Sequence, residues 1–468
     1  MKKTAILICL IFSLLVSCSK ESNGLVIEKA ENLLSDAPTA PVGYEYLEGV
    51  GSWLNAETEY KPASDEGIDT LFENNFILSG GNLYFQLKKE ETKKDENGTG
   101  YYYTSGKDVY AYISSQTGER HFLCPDPLCT HGSFSDCRYL SLGYLTFSSS
   151  NPLVMYAVKD VFYEQYQIYC SCVYEINNSA ATITQIYAPE EKEDDLHAIY
   201  IYPLFDNDGK LYMKYVKQYR FINDSGETEY REDIKLISLD LKTKETEVID
   251  GNFPEFTYMV GRAWDKVLLF DQHTYELYYT DMNFKSHVSL LKYDDDYYLK
   301  NLYYDKNTDE LYAFIMYSEL AYPEKMDMSD NDIHCKVYKI DKDFNLTEIP
   351  MPSEMVTSIQ LAKDYIYYTV YDPIQYGTRK GRPVLDTTGG KIYRVPRDNT
   401  TEGELFFDNH GEIMFDGSVG AAYCVVGDNL YLQYYKLRGS GDDMSSYYTG
   451  SIARVNVKEN TLKWINLY

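Results

Sequence analysis

The sequence has few tryptophans, few basic residues and no long apolar run beyond its N-terminus. Only 3 of the 468 residues are tryptophan, and 44 basic residues stand against 72 acidic ones, which gives a formal net charge of -28. Such a charge repels nucleic acid, because phosphate-binding surfaces are basic. No later run approaches the roughly 20 apolar residues of a membrane-spanning helix. What remains is a globular chain with 44% hydrophobic residues.

The one long apolar run lies at the N-terminus and ends at a cysteine. Lys2 and Lys3 precede the apolar residues 5–16, and Cys18 follows them. A short apolar segment between cations and a cysteine resembles the signal peptide of bacterial lipoproteins. We therefore predict a signal peptide over residues 1–17 and a diacylated Cys18. The mature protein would be extracytoplasmic and anchored to a bacterial membrane by lipid alone.

The rest of the chain divides into a short tether and a long region of strands. Residues 18–41 contain charged residues and two prolines and predict a tether. Residues 42–468 alternate short apolar or aromatic runs with Asp, Asn and Gly, which is the signal of strands and turns. The 49 tyrosines fit this pattern, because tyrosine favours half-buried, pleated surfaces.

A repeated pair of runs indicates the architecture. A Leu- and Tyr-rich run is followed each time by a second run and, in several cases, a polar turn. The first runs begin at Asn82, Leu153, Lys210, Lys266, Glu310, Tyr365 and Asn429, and their partners begin near Val109, Val173, Leu236, Leu277, Val337, Ile392 and Ile452. Seven units with room for four strands each predict an all-β fold, a seven-bladed β-propeller. Six or eight blades also fit the uneven spacing, and a solenoid is the alternative.

Three cysteines and a histidine lie close together in one segment. Cys124, Cys129, His131 and Cys137 give the pattern C-x4-C-x-H-x5-C. Three thiolates and one imidazole form the closed tetrahedral ligand set of a structural zinc site. A disulfide among Cys124, Cys129 and Cys137 is the alternative, because extracytoplasmic cysteines are oxidised in many compartments. Free thiols are the third reading, and zinc and a disulfide are both structural roles.

Other short motifs favour structural roles. Cys170 and Cys172 lie on one face of a predicted strand, too far apart for an easy disulfide, and are expected in the core. Cys335 and Cys424 occupy strand-like runs and are also expected in the core. The segment 206–209 resembles the start of a calcium loop but predicts a turn before the next strand.

The sequence resembles a family of uncharacterised Tyr-rich β-propeller lipoproteins of Gram-positive bacteria. The signal peptide, the repeats and a Leu-Cys-x4-Cys-Thr-His segment with a further downstream cysteine carry the resemblance. The matching residues of the segment are Thr117, Gly118, Leu123, Cys124, Cys129, Thr130, His131 and Cys137. The resemblance implies a propeller and a surface location. That family has no established activity to carry over.

No catalytic motif is legible in the sequence. The remaining histidines are scattered, without a nucleophile elbow or a metal-ligand pair. We therefore rank a binding or interaction module for a sugar, peptide or protein partner above an enzyme. Exposed tyrosines stack on sugar rings, which makes residues 372–377 and 445–449 candidate contacts. The alternatives are a structural component of a membrane-bound assembly and a glycan- or peptide-processing hydrolase or lyase with acidic residues in the propeller funnel. We expect a monomer attached to the membrane through Cys18.

Overall fold

The computed structural model describes an all-β chain in separate segments. They are residues 27–29, 55–56, 68–72, 76–79, 82–89, 92–93, 103–104, 107–113, 120–122, 124, 142–148, 151, 154–163, 168–177, 182–189, 193–223, 225–250, 253–254, 257–271, 273–282, 284–292, 297–317, 335–379, 382–409, 423–426, 429–438, 445–456 and 461–465. All regular elements in these segments are strands. The described part of the chain contains no helix able to cross a membrane.

The strands group into mainly antiparallel units that follow one another along the chain, and the second and third units are joined by a parallel strand pair into one eight-stranded sheet. Three strands precede the first sheet: β1 (Ile27–Lys29), β2 (Asn55–Ala56) and β3 (Ile68–Phe72). Unit 1 contains β4 (Phe76–Ser79), β5 (Asn82–Lys89), the inserted pair β6 (Thr92–Lys93) and β7 (Tyr103–Thr104), β8 (Lys107–Ile113) and β9 (Arg120–Phe122).

Units 2 to 4 have the same order of strands. Unit 2 is β10 (Gly143–Phe147), β11 (Val154–Tyr163), β12 (Ile168–Asn177) and β13 (Thr182–Tyr187). Unit 3 is β14 (Leu196–Asn207), β15 (Lys210–Ile222), β16 (Thr228–Asp240) and β17 (Thr246–Asp250). Unit 4 is β18 (Thr257–Ala263), β19 (Lys266–Asp271), β20 (Glu276–Thr280) and β21 (Val288–Lys292).

Units 5 to 7 complete the series. Unit 5 is β22 (Tyr297–Asp305), β23 (Glu310–Tyr317), β24 (Cys335–Ile340) and β25 (Leu346–Ile349). Unit 6 is β26 (Val356–Leu361), β27 (Tyr365–Val370), the inserted hairpin β28 (Ile374–Arg379) and β29 (Arg382–Asp386), β30 (Lys391–Pro396) and β31 (Glu404–Asp408). Unit 7 is β32 (Tyr423–Val426), β33 (Asn429–Arg438), β34 (Ser445–Asn456) and β35 (Thr461–Ile465).

The units are arranged as in a β-propeller, and the fold class is confirmed. First strands of neighbouring units contact each other: β14 contacts β18, and β22 contacts β26. In addition, β34 of unit 7 contacts β5 of unit 1. The first strand β26 is buried along its whole length, whereas the last strands β17 and β25 are largely exposed. First strands therefore lie nearest the axis and last strands on the outside. Seven units occur within the described residues, and a blade count of seven stays a prediction.

The hydrophobic core lies between neighbouring units. One buried cluster joins units 2 and 3, a second joins units 3 and 4, a third joins units 4 and 5, and a fourth joins units 5 and 6. The sheets of units 3, 4 and 5 are thus covered on both faces, which explains the continuous apolar runs in their inner strands. The predicted first runs form the second strand of each unit, and their partners fall in the third strand.

Several turns between strands contain residues with a positive φ. At Asp208 and Gly209 both φ angles are positive, 49° and 76°, and the turn joins β14 to β15 as the sequence predicts. Phe344 in the turn between β24 and β25 also has a positive φ of 64°, a conformation that favours Gly or Asn. Its ring lies 4.2 Å from that of Tyr279 and 5.5 Å from that of Trp264, centroid to centroid. Packing against unit 4 therefore fixes the strained backbone of a unit 5 turn.

Polar contacts also join the units. The Gln360 side-chain amide bridges to unit 7, because Nε2 donates to the Val425 carbonyl at 2.9 Å and Oε1 accepts from the Val425 N–H. Gln360 is 1% exposed, and Val425 lies in β32, the edge strand of unit 7, so this buried side chain pairs with backbone groups of that edge. Between units 5 and 6, Arg397 Nη1 lies 2.6 Å from Asp305 Oδ2.

The strands before unit 1 pair with units far along the chain. β1 lies within the predicted tether and pairs antiparallel with β35 at the outer edge of unit 7. β3 pairs antiparallel with β22, on the edge away from β23, and contacts β18 and β4. Since β22 is a first strand, β3 lies on the axis side of unit 5. Ile68 at its start is 4% exposed and belongs to the core between units 5 and 6.

Candidate functional site

A continuous row of aromatic side chains crosses units 2 and 3. We call it the aromatic surface and define it by Phe162, Tyr169, His197, Tyr200 and Tyr230. Phe162, Tyr169 and Tyr230 are 41%, 47% and 52% exposed, and the other two are partly buried. Aromatic rings of this kind usually contribute to a core, so three exposed rings in one row indicate an interaction site.

The rings contact one another in sequence from unit 2 to unit 3. The centroids of Phe162 and Tyr169 are 4.8 Å apart, those of Tyr169 and His197 are 6.4 Å apart, and those of His197 and Tyr230 are 5.5 Å apart. These distances are typical of favourable aromatic pairs. The row is therefore held in place by its own contacts before any ligand binds.

Strand pairing across the unit boundary positions the row. Phe162 of β11 is opposite Tyr169 of β12, and Tyr169 in turn is opposite Ala198 of β14 in a parallel pair. The register of β14 against β15 shifts between Leu196 and Ala198, so His197 is the extra residue of a bulge. This local irregularity places an imidazole between two tyrosines that belong to different units.

Two carboxylates lie beside the rings. Ser171 donates a hydrogen bond to Asp160 Oδ1 at 2.6 Å, and Gln218 Nε2 donates to Glu232 Oε1 at 2.9 Å. Burial raises the pKa of Tyr200, and the charges of Asp160 and Glu232 raise it further. Both carboxylates are exposed, and each lies on the strand face that carries the rings, because Asp160 is two residues from Phe162 in β11 and Glu232 two residues from Tyr230 in β16.

A second polar group supports the opposite face of unit 3. Glu193 accepts a 2.7 Å hydrogen bond from Lys217 Nζ and a 2.5 Å bond from the Tyr219 hydroxyl. These hydrogen bonds lower the pKa of Glu193, while burial raises the pKa of Tyr219 to about 12, with Glu193 adding to the shift. The guanidinium of Arg231 lies 5.4 Å from the Tyr219 ring. These contacts hold together the segment before β14 and the strands β15 and β16. The β15–β16 hairpin extends from this point.

The β15–β16 hairpin extends beyond its neighbouring strands. Its pairing continues to Ile222 and Thr228, whereas β14 begins opposite Tyr219. Phe221 and Ile222 near its tip are 39% and 70% exposed. The hairpin therefore presents apolar side chains next to the aromatic surface.

Structural comparisons give propellers of low similarity. No protein-family model and no curated protein matches the sequence. An oligogalacturonate lyase in complex with manganese matches at 8% identity and a TM-score of 0.40, over 84% of this chain and 98% of that one. The β-propeller domain of the Trilobed protease from Pyrococcus furiosus matches at 11% identity and a TM-score of 0.37, over 86% and 97%.

A puromycin hydrolase variant in complex with PGG matches at 8% identity and a TM-score of 0.42. The alignment covers 92% of this chain and 57% of that one, so the chain spans little more than half of the hydrolase. Similarities at this level carry no argument about activity.

The predicted zinc or disulfide segment lies almost wholly outside the described residues. Cys124 is described, is 8% exposed and follows β9 closely in the chain. Cys129, His131 and Cys137 are outside, as are Cys18 and the predicted signal peptide. A search of the described residues finds no cluster of three metal-ligating side chains, which leaves the segment untested.

The structure also describes the other cysteines and the two candidate contact segments that the sequence singled out. Cys170, Cys172 and Cys424 are each 1% exposed, and Cys335 packs against the core between units 5 and 6. In the candidate contact segment 372–377, the carboxylate of Asp372 binds Lys391 at 2.6 Å. The segment 445–449 begins β34.

Sequence reasoning missed the aromatic surface. Its residues are separated by up to one and a half repeats, and nothing in the local pattern of Tyr169 or Tyr230 distinguishes these tyrosines from those that pack between units. One available signal was the length of the segments that form β15 and β16, which are longer than the strands expected for a minimal blade.

Proposed function

We propose that this protein is a membrane-tethered, extracytoplasmic propeller whose aromatic surface binds carbohydrate. The observation that supports the proposal is the unbroken row from Phe162 to Tyr230, with three exposed rings and two adjacent carboxylates. Aromatic faces stack on the C–H faces of sugar rings, and carboxylates accept hydrogen bonds from sugar hydroxyls.

A binding role is favoured over hydrolysis in the propeller funnel. Strand β3 pairs along the axis-side edge of β22, where a funnel-type active site of unit 5 would need to be accessible. The aromatic surface, by contrast, lies on strands β11, β12 and β14 and on β16 of the projecting β15–β16 hairpin. It needs no access to the axis.

Glycan-array screening followed by isothermal titration calorimetry tests the proposal. We expect Tyr169→Ala and Tyr230→Ala each to weaken binding about tenfold, as expected for an aromatic residue central to an interface. Tyr258→Ala is the matched control, because Tyr258 is 44% exposed but lies in unit 4. Circular dichroism should show that all variants are folded. Binding that is indifferent to Tyr169 and Tyr230 would exclude this surface.

A protein partner is the second candidate, and the exposed hairpin tip favours it. Ile222 is 70% exposed and Phe221 39% exposed, which suits an apolar contact in a membrane-bound assembly. Crosslinking from the tip, with Ile222→Ser as the variant, tests this role. Loss of a crosslinked partner together with unchanged glycan binding would separate it from the first candidate.

We propose that Cys18 carries the lipid and that the segment Cys124–Cys137 binds zinc. Metabolic labelling with palmitate tests the first proposal, since Cys18→Ser should abolish labelling and release the protein from the membrane. Elemental mass spectrometry and a thiol count under denaturing conditions test the second. Zinc that disappears in Cys129→Ser supports a metal site, whereas two missing thiols without metal support the disulfide alternative.

A further inference from the structure

We propose that the ligand of the aromatic surface is a linear glycan that carries amino groups, an inference that rests on the proposed carbohydrate-binding function. The row of rings supports a linear ligand, and the flanking carboxylates support a ligand with positive charge.

The row favours a linear ligand of several sugar residues. Phe162, Tyr169, His197 and Tyr230 follow one another with centroid distances of 4.8 to 6.4 Å and extend from β11 of unit 2 to β16 of unit 3. Each exposed ring offers a stacking surface to a different part of a chain. A single sugar covers only part of such a row and would leave the outer rings unused.

The carboxylates favour an ammonium group on that ligand. Asp160 and Glu232 are each held by one neutral donor, the Ser171 hydroxyl and the Gln218 amide, and neither donor neutralises their charge. An ammonium group supplies three donors, gains from nearby carboxylates and also interacts favourably with tyrosine faces. Asp160 lies two residues from Phe162 in β11 and Glu232 two residues from Tyr230 in β16, so a negative charge lies beside each end of the row on the face that carries the rings.

The charge of the whole molecule acts in the same direction. A formal net charge of -28 repels anionic polymers and attracts cationic ones. A basic peptide shares the ammonium chemistry. The glycan is favoured because Phe162, Tyr169 and Tyr230 are 41% to 52% exposed in one surface row, whereas peptides anchor side chains in pockets.

Calorimetry with defined oligomers tests the inference. Glucosamine oligomers from the dimer to the hexamer should bind with affinity that rises with length, about fivefold for each further stacked ring. N-acetylated oligomers of equal length should bind about threefold more weakly for each lost ammonium–carboxylate contact, and uronic acid oligomers should not bind. The glucosamine affinity should fall as salt increases.

Variants assign the effect to residues. Asp160→Asn and Glu232→Gln keep the shape of the side chains and should equalise glucosamine and N-acetylglucosamine oligomers. Glu247→Gln is the matched control, since Glu247 is an exposed carboxylate of unit 3 that binds Lys210. Tyr230→Ala, at one end of the row, should reduce the affinity of the hexamer more than that of the dimer.

The outcomes separate the two proposals. Equal binding of charged and neutral oligomers, unaffected by Asp160→Asn and Glu232→Gln, would overturn the amino-glycan inference and leave carbohydrate binding intact. Affinity independent of length would overturn the linear ligand. Binding of a lysine-rich peptide at these residues, without any glycan binding, would overturn both in favour of a peptide.

Discussion

Replacing Arg397 with methionine should destabilise the fold by removing the partner of a buried carboxylate. Asp305 is 0% exposed and its Oδ2 lies 2.6 Å from Arg397 Nη1. Without the guanidinium, the Asp305 carboxylate keeps, within the described part of the chain, the Asn307 N–H at 2.8 Å and the Thr308 hydroxyl at 3.0 Å, both neutral donors. An uncompensated buried charge typically costs about 3–5 kcal/mol.

Arg397 also makes other contacts, and these contribute to the loss of stability expected for Arg397→Met. Its Nη2 donates to the Tyr312 hydroxyl at 2.6 Å, its guanidinium lies 4.8 Å from the Tyr312 ring, and its Nη1 donates to the Lys363 carbonyl at 3.0 Å. Methionine retains part of the apolar contact with the ring. We therefore expect about 4 kcal/mol, or about 4 °C in Tm for a chain of 468 residues.

A double-mutant cycle separates the ion pair from the other contacts. The cycle compares Arg397→Met, Asp305→Asn and the double variant by urea unfolding, followed by tryptophan fluorescence and far-UV circular dichroism. Coincident transitions justify a two-state free energy. The Asp305→Asn variant should lose less than Arg397→Met, because the Arg397 side chain is 13% exposed and can reach water. The double variant should lose less than the sum of the two.

An exposed ion pair provides the control for this experiment. Lys210 and Glu247 lie 2.9 Å apart, with side chains 39% and 65% exposed, so Lys210→Met should leave the unfolding midpoint unchanged. The reasoning would be refuted if Arg397→Met behaved like Lys210→Met. Strict additivity in the cycle would refute the assigned pairing.

Three further changes test other contacts between and within the units. Phe344→Ala should lower stability by about 1–2 kcal/mol and alter tryptophan fluorescence, because it removes a ring stacked on unit 4. Gln360→Leu should cost about 1–3 kcal/mol in urea unfolding, because it leaves the N–H and carbonyl of Val425 without this partner. Hydrogen bonds lower the pKa of Glu193, so its stabilisation is present above the ordinary glutamate value of about 4.3 and is lost as pH falls through the folded-state value. Glu193→Gln should therefore flatten the acid side of the stability profile.

Each of these changes has a neighbour that serves as its control. Leu346→Ala, two residues after Phe344 and 37% exposed, should change neither stability nor fluorescence. Gln360→Glu keeps an acceptor for the Val425 N–H but loses the donor and buries an unpaired carboxylate against the Val425 carbonyl, so it should destabilise at least as much as Gln360→Leu. Glu247→Gln should leave the acid profile as steep as in the parent protein. A Glu193→Gln profile of equal steepness would contradict the assigned bonds.

The sequence alone determined the fold class and the repeated pair of second and third strands in each unit. The runs at Lys210 and Tyr365 are short, nearly continuous apolar and aromatic runs and begin the second strands of units 3 and 6, because local patterning and strand geometry agree there. The turn at residues 206–209 was also predictable, since Asp and Gly tolerate positive φ. These features depend on neighbours in the chain.

Only the tertiary structure decided the features that join distant segments. Phe344 adopts a positive φ that its own sequence disfavours, because its ring packs on unit 4. Strand β3 pairs with β22, more than two hundred residues later, and no local signal names that partner. The aromatic surface forms because Tyr169 and His197 meet across the β12–β14 pair, whereas other tyrosines, such as Tyr212 and Tyr303, are buried between units. Local propensity selects strands and turns, but the packing of units selects which side chains remain exposed together.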